Sequence, residues 1–341
     1  MLIIARAVLL PYEEGNEPAT PAPAFSPDDE EGLYFSQVAE KLMASDGARR
    51  TRFLEGSTAG KLFADFAHRP FPEAAADVET LIAEGLRTQG ALPDGCDLAL
   101  FTFEKDGDPH VCLCRLMWKS VLMHRDDTDE EGAVISRLGR SRRGMPAPGG
   151  RECAGMVVNL STGDVILRDV NVNTFVEEDD DHPSGSRPLF GGVLFPLEET
   201  HTEKEAVKAV KAIIREAAPA EAAVPELEPA IARAVSKAVE ETGEIRVEEV
   251  AREVFREAPQ REALVQQVAE RAAEEAIEPV IPVENKKVAR SLQRLKLRTD
   301  TGIAITLPQE MTEDKNLFSV INNPDGTISI FLGNISELRT E

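Results

Sequence analysis

Two pairs of apolar segments, each joined by a short turn, constrain the fold most strongly. The first pair is LALFTFE (98–104) and HVCLCRLMW (110–118), and the KDGDP between them contains Asp-Gly. Asp-Gly favours the tight turn of a two-residue hairpin. The second pair is AGMVVNL (154–160) and VILRDV (165–170), joined by Ser-Thr-Gly-Asp. We therefore predict two antiparallel β-hairpins in the first 200 residues.

The sequence around these hairpins adds helices and loops. An apolar segment at 2–10 predicts a buried strand, and the Pro-, Glu- and Asp-rich stretch 12–31 predicts a loop or a disordered insertion. We interpret RLGRSRRGMPAPGG, between the hairpins, as a flexible basic loop and FGGVLF as a closing strand. Apolar periodicity predicts three helices, with Ser57 as the N-cap of the second. These helices span Leu33–Met43, Ser57–His68 and Glu73–Gln89.

The composition changes after Pro196. Residues 202–278 are rich in Ala, Glu, Val and Arg and predict helices, the first of which begins with a capping-box pattern at Thr202 and Glu205. Strand patterns return in TGIAITLP, FSVIN and TISIFL near the C-terminus. We predict an α+β protein: an α+β domain at 1–200 with antiparallel hairpins, and a helical region with a C-terminal β-hairpin at 201–341.

The formal net charge of −23 disfavours a general binder of polyanions. The acidic residues are concentrated in runs at 27–31, 126–131 and 177–181, which are typical of solvated loops, so a basic surface elsewhere could still meet phosphates.

No apolar run approaches the ~20 residues that span a bilayer. We interpret the N-terminal MLIIARAVLL as a strand and not as a signal peptide, which predicts a cytoplasmic protein. The four cysteines show no metal or disulfide spacing, and we expect buried thiols.

Signatures of catalysis are absent from the sequence. It contains no phosphate-binding glycine loop and no nucleophile elbow, and its five histidines are widely separated. The best metal candidate is His182 beside Asp179–Asp181, for which a solvated acidic loop is the stronger interpretation. We predict no enzymatic activity and no cofactor, although carboxylates brought together by the fold could still form a nuclease site.

Positive charge is concentrated in KKVARSLQRLKLR (286–298), which has six basic residues and no acidic one. On a helix, five of these cations would share one face and oppose Val288, Leu292 and Leu295. A second row lies on the predicted helix at 204–215, and a third group lies in the basic loop. Rows of basic residues are ordinarily explained as the solvent-exposed faces of amphipathic helices. The lack of acidic residues nearby nevertheless favours contacts with phosphates. The candidate DNA-binding residues are Lys286, Lys287, Arg290, Arg294, Arg298, Lys204, Lys208, Lys211, Arg215, Arg137, Arg140, Arg142 and Arg143.

The order of these blocks resembles a known family. The similarity lies in the 98–124 segment LALFTFEKDGDPHVCLCRLMWKSVLMH, in AGMVVNLSTGDVILRD, in FGGVLFPLEETHTEKEAVKAVKAI, and in LQRLKLRTDTGIAITLPQEM followed by FSVINNPDGTISI. These segments resemble the NdpA-type bacterial nucleoid-associated proteins. The resemblance implies a cytoplasmic protein that is found with the nucleoid, binds double-stranded DNA and needs no cofactor.

The leading hypothesis is therefore a non-enzymatic, nucleoid-associated protein that binds double-stranded DNA by phosphate contacts, as a homodimer. The alternative is an acidic protein-interaction subunit of an antiviral defence or DNA-processing complex, whose surface docks a basic protein partner. Neither hypothesis involves a membrane.

Overall fold

The computed structural model describes residues 2–12, 30–91, 95–128, 134–150, 153–174, 185–219, 224–312, 314–325 and 327–337. The predicted insertion at 12–31 falls almost entirely outside the described residues. The chain forms two compact units, Met1–Glu199 (unit 1) and Thr200–Glu341 (unit 2). The fold is α+β, as predicted. No helix in the described part combines the length and the hydropathy that a bilayer crossing requires.

Unit 1 is built on an antiparallel sheet of six strands. The described strands of unit 1 are β1 (Ile3–Tyr12), β2 (Arg49–Thr51), β3 (Cys96–Lys105), β4 (Asp108–Met117), β5 (Lys119–Thr128), β6 (Val134–Gly144), β7 (Ala154–Asn159), β8 (Val165–Arg168), β9 (Asn171–Thr174) and β10 (Gly185–Pro188). The order in the main sheet is β1-β3-β4-β7-β8-β2. The pairs β5–β6 and β9–β10 form separate two-stranded sheets.

Both predicted hairpins are confirmed as β3–β4 and β7–β8. The turn between β3 and β4 places Asp106 at φ 55° and Gly107 at φ 89°. Two successive left-handed residues match the right-handed twist of paired strands, which is why Asp-Gly is a strong hairpin signal. The predicted basic loop is wrong in its first half, because residues up to Gly144 belong to β6. The predicted strand FGGVLF is also wrong, because Leu189–Leu194 form a π-helical turn.

Helices cover both faces of the main sheet. The helices of unit 1 are α1 (Glu30–Met43), α2 (Thr58–Asp65) and α3 (Phe71–Thr88), with a 3-10 turn at Phe66–His68. Alternate residues of β3 face opposite cores, because side-chain direction in a strand has a period of two. Leu98 and Leu100 join the core that contains α2 and α3, whereas Phe101 and Phe103 join the core formed with α1. All four cysteines are buried, as expected.

The described residues of unit 2 form five helices and six short strands. The helices are α4 (Glu203–Ala217), α5 (Val224–Thr242), α6 (Val247–Val254), α7 (Arg261–Glu274) and α8 (Lys286–Leu292). The strands are β11 (Glu244–Arg246), β12 (Val280–Pro282), β13 (Arg294–Arg298), β14 (Ala304–Pro308), β15 (Phe318–Asn322) and β16 (Ile328–Leu332), with a 3-10 turn at Gln309–Thr312. They pair antiparallel as β11–β12, β13–β14 and β15–β16. The five helices share one apolar core, and the strands β13 to β15 contribute to a smaller one.

Candidate nucleic-acid interface

The basic segment 286–298 begins as a short helix. The side chain of Asn285 caps α8 by accepting hydrogen bonds from the backbone N–H groups of Lys287 (2.9 Å) and Val288 (3.4 Å). Val288 and Leu292 are buried in the core of unit 2. The side chains of Lys286, Lys287 and Arg290 are exposed. The amphipathic arrangement predicted from the sequence is therefore confirmed for the first half of the segment.

The predicted helix is wrong beyond Leu292, where the chain becomes the strand β13. The sequence Arg-Leu-Lys-Leu-Arg alternates charged and apolar residues, which is the period of a half-buried strand. Leu295 is buried, whereas Arg294, Lys296 and Arg298 are exposed on the opposite face. Pairing with β14 satisfies the backbone, so the strand needs no helical hydrogen bonds.

The strand brings Lys296 into the candidate interface, a residue that the helical interpretation left out. Across the hairpin, the partners of Arg294, Lys296 and Arg298 are Pro308, Thr306 and Ala304. None of these three partners carries a negative charge, so the exposed face of β13 is uniformly cationic. The alternation of charged and apolar residues in 294–298 was the signal that could have revealed this face.

The six cations of 286–298 differ from other arginines of unit 2 in their electrostatic environment. Within the described part of the chain, none of the six forms an ion pair with a carboxylate. Other arginines of unit 2 do, at N–O distances of 3.0–3.8 Å. These pairs are Arg246–Glu244, Arg252–Glu262, Arg256–Glu253, Arg261–Glu262 and Arg271–Glu216.

The second predicted row lies on α4, but only its first two members are both exposed and outside any ion pair among the described residues. Lys204 and Lys208 are exposed. Lys211 is partly buried, and burial lowers the pKa of its ammonium group although Glu228 opposes the change. Arg215 forms a bidentate ion pair with Glu228, with one N–O distance of 3.1 Å. Arg215 is therefore already committed to a carboxylate.

The two basic segments of unit 2 meet at their N-terminal ends. The Glu203 carboxylate in the first turn of α4 accepts hydrogen bonds from the backbone N–H groups of Glu284 (3.3 Å) and Asn285 (3.1 Å). The capping box predicted for α4 is present between Thr202 and Glu205. Below, the basic set of unit 2 means the exposed cations of both segments that form no ion pair among the described residues. Its members are Lys204, Lys208, Lys286, Lys287, Arg290, Arg294, Lys296 and Arg298.

The third predicted group lies on the strand β6 of unit 1. Arg137, Arg140 and Arg142 are exposed. The guanidinium of Arg143 stacks over the Trp118 ring at 4.9 Å from its centroid, a cation–π contact. The indole N–H of Trp118 in turn donates to Asp97 at 2.9 Å. Arg143 therefore helps to fix the base of the β5–β6 hairpin.

The described residues hold no group of three or more His, Cys, Asp or Glu side chains arranged to bind a metal ion. The metal candidate His182, with Asp179–Asp181, lies outside the described residues.

Most of unit 2 lies within a segment that matches a known protein family. Residues 191–339 match the family described as "Nucleoid-associated protein YejK". The matched range contains the whole basic set of unit 2, whereas β5 and β6 precede it. No curated protein matches the chain. The resemblance to nucleoid-associated proteins inferred from the sequence is thus confirmed over this range.

Proposed function

Because residues 191–339 match the family described as "Nucleoid-associated protein YejK", we propose that the chain is a non-enzymatic bacterial protein of the cytoplasm and nucleoid that binds double-stranded DNA. The basic set of unit 2 contacts the phosphates. Three members of the earlier candidate list have weaker support in this role. Lys211 is partly buried, Arg215 is paired with Glu228, and Arg143 is stacked on Trp118.

The observation that carries the proposal is the pairing pattern of cations in unit 2. The chain has 61 acidic and 38 basic residues, so an exposed cation ordinarily finds a carboxylate nearby. The six cations of 286–298 have none among the described residues, which leaves their charge available to an external anion. Neighbouring like charges repel one another modestly in water, and a polyanion relieves that repulsion while releasing its own counterions.

The chemistry of the set favours a duplex over single strands. Residues 286–298 contain no aromatic side chain on which an unpaired base could stack. Lysine and arginine contacts to phosphates position a protein on DNA but carry little sequence information. We therefore expect similar affinities for unrelated duplex sequences.

A homodimer is part of the proposal. Two copies would present two basic sets to one duplex, and the second set would bind at the high effective concentration created by the first. This arrangement helps a protein with a net charge of −23 to remain on a polyanion.

Fluorescence anisotropy with a labelled duplex at increasing salt tests the proposal. A site with six phosphate contacts loses about 10³-fold in affinity between about 50 and 200 mM salt. Absence of binding at low salt, or binding that is independent of salt, would refute the proposal. Incubation of the same protein with plasmid DNA and Mg²⁺ tests the non-enzymatic part, for which we expect intact DNA.

The acidic composition favours the second candidate, a subunit that docks a basic protein partner in a defence or DNA-processing complex. A pull-down of the tagged chain discriminates between the two. Nuclease treatment that removes all bound material supports DNA binding, whereas a stoichiometric protein that survives the treatment supports the second candidate.

A further inference from the structure

The β5–β6 hairpin, here called the ribbon, is an isolated two-stranded sheet. Its strands pair with each other from Lys119–Gly144 to Thr128–Val134, and neither pairs with another described strand. Both outer edges of the ribbon are therefore unpaired among the described strands. An isolated two-stranded hairpin is marginally stable in water, and exposed strand edges and apolar patches are typical of interaction sites.

One face of the ribbon carries large apolar side chains. The register places Leu122 opposite Arg140, His124 opposite Leu138 and Asp126 opposite Ser136, so all six lie on one face. Leu122 and Leu138 are each 68% exposed, and Val134, farther along the same face, is 74% exposed. Leu122 and Leu138 are diagonal neighbours in adjacent rows and form an apolar patch, and the Asp126–Ser136 row separates Val134 from it.

The charged residues on this face are arranged so that they can pair with those on the same face of a second copy. Arg140 lies one row from Leu138 toward the base of the ribbon, and Asp126 lies one row from Leu138 toward its turn. Both side chains are exposed. A two-fold axis through the Leu138 row therefore brings the Arg140 row of one copy over the Asp126 row of the other.

We infer that the apolar face of the ribbon is the homodimer interface, with two ribbons packed face to face in antiparallel orientation. A two-fold contact is self-complementary, since each copy supplies the same patch and receives it. The two Leu138 side chains form the apolar centre, Leu122 of each copy lies in the adjacent Arg140 row, and two Arg140–Asp126 pairs flank the centre and fix the orientation. The inference rests on the homodimer in the proposed function, but it does not require DNA.

Sedimentation equilibrium of the full-length chain without DNA provides the first test. We expect a mass of twice 37.2 kDa for the wild type. Leu138→Asp should raise the dimer dissociation constant about tenfold or more, because a charge at the centre of an interface cannot be satisfied there. Leu54→Asp is the matched control, since Leu54 is 48% exposed in the same unit but lies outside the ribbon, and it should leave the mass unchanged.

Charge reversal tests the orientation and does not depend on the stability of the Leu138 variant. Arg140→Glu and Asp126→Arg should each weaken the dimer, and the double variant should restore most of the loss. Equal weakening in the single and double variants would overturn the antiparallel arrangement.

Cross-linking provides a direct test of proximity. Every natural cysteine is at most 2% exposed, so a bis-maleimide should react with an engineered Leu138→Cys and spare the others. We expect a cross-linked dimer for Leu138→Cys and none for Leu54→Cys.

A monomeric wild type, or a dimer that Leu138→Asp leaves intact, overturns the inference. If the wild type is monomeric and Leu138→Asp lowers its affinity for DNA, the ribbon is a DNA-binding element and not a dimer interface. A ribbon dimer without DNA affinity refutes the proposed function alone.

Discussion

The carboxylate of Glu203, in the first turn of α4, accepts a hydrogen bond of 3.1 Å from the backbone N–H of Asn285, the residue that caps α8. It also accepts from the N–H of Glu284 at 3.3 Å. One side chain thus joins the starts of the two helices that carry five of the eight members of the basic set of unit 2. The relative placement of these cations depends on a carboxylate that is itself not part of the interface.

Glu203→Ala should therefore reduce both stability and DNA affinity. Loss of an ionised acceptor for two N–H groups costs roughly 1–2 kcal/mol in the free energy of unfolding, measured by urea denaturation. Despite the removal of a negative charge, duplex affinity should fall because α8 loses its fixed position. Glu278→Ala, an exposed acid of the same unit, is the control. A gain in affinity equal to that of the control would show that Glu203 has no positioning role.

Two substitutions at Asn285 distinguish the effect of helix capping from the effect of local charge. Asn285→Ala removes the acceptor for the N–H groups of Lys287 and Val288 and should cost about 1 kcal/mol of stability. Asn285→Asp keeps that acceptor and preserves stability, but it adds a negative charge beside Lys286 and Lys287. It should weaken duplex binding measured by anisotropy at low salt, and the effect should disappear at high salt. Unchanged binding by Asn285→Asp would argue against phosphate contacts at this end of α8.

Lys208 and Lys211 lie on the same helix and should respond differently to substitution by methionine. Lys208 is exposed, so Lys208→Met should lower the salt slope of duplex binding by about 0.9. Lys211 is partly buried and its pKa is lowered by burial, so Lys211→Met should leave DNA binding unchanged and stabilise unit 2 by less than about 1 kcal/mol.

The stabilisation by Lys211→Met has a defined pH dependence. A lysine whose folded pKa is lowered destabilises the fold while it is charged in both states. That cost disappears as the pH rises from the folded pKa through the unfolded value near 10.5. Urea denaturation at neutral and alkaline pH should therefore show the advantage of the methionine variant only at the lower pH. An advantage that grows with pH would contradict the assignment.

The base of the ribbon has a built-in optical probe, because Trp118 is the single tryptophan of the chain. Its indole N–H donates to Asp97, whose pKa is raised above 3.8 by burial, against the opposing effects of Trp118 and Arg143. Ionisation of Asp97 therefore costs stability as the pH rises from its unfolded pKa through the higher folded value.

Tryptophan emission should consequently change as Asp97 titrates above pH 3.8, and Asp97→Asn should abolish that transition. The variant should also be modestly more stable than the wild type at neutral pH, but not below the unfolded pKa. Asp164→Asn is the control, since burial raises the pKa of Asp164 but the hydrogen bonds from Thr162 and Arg52 outweigh it and lower that pKa below 3.8. A transition that persists in Asp97→Asn would assign it to another group.

Local signals in the sequence were sufficient for much of the fold. The Asp-Gly turn fixed the β3–β4 hairpin, and the Thr202–Glu205 capping box fixed the start of α4. Each of these signals acts over a few residues and needs no distant partner. The exposed side chains of Lys286, Lys287 and Arg290 likewise followed from helical periodicity alone.

The sequence-based predictions were wrong where the structure depends on contacts between segments, or where a strand lacks contacts with a core. Residues 137–144 were mistaken for a loop because none of these residues joins a core, so the segment lacks the alternation of a half-buried strand. Arg294 and Arg298 were placed on a helix because the pairing partner β14 follows six residues later. The ion pair of Arg215 with Glu228 joins two helices and leaves no trace in the spacing of cations along α4.

The salt dependence of duplex binding, compared between two triple variants of equal charge, tests the central claim most directly. Lys286→Gln/Lys287→Gln/Arg290→Gln removes three unpaired cations, whereas Arg252→Gln/Arg256→Gln/Arg261→Gln removes three that are paired with glutamates. The account predicts that the first variant lowers the slope of log affinity against log salt by roughly 0.9 for each lost contact, and that the second leaves the slope unchanged. Equal slopes for both variants would show that net charge, and not the basic set of unit 2, governs the interaction with DNA.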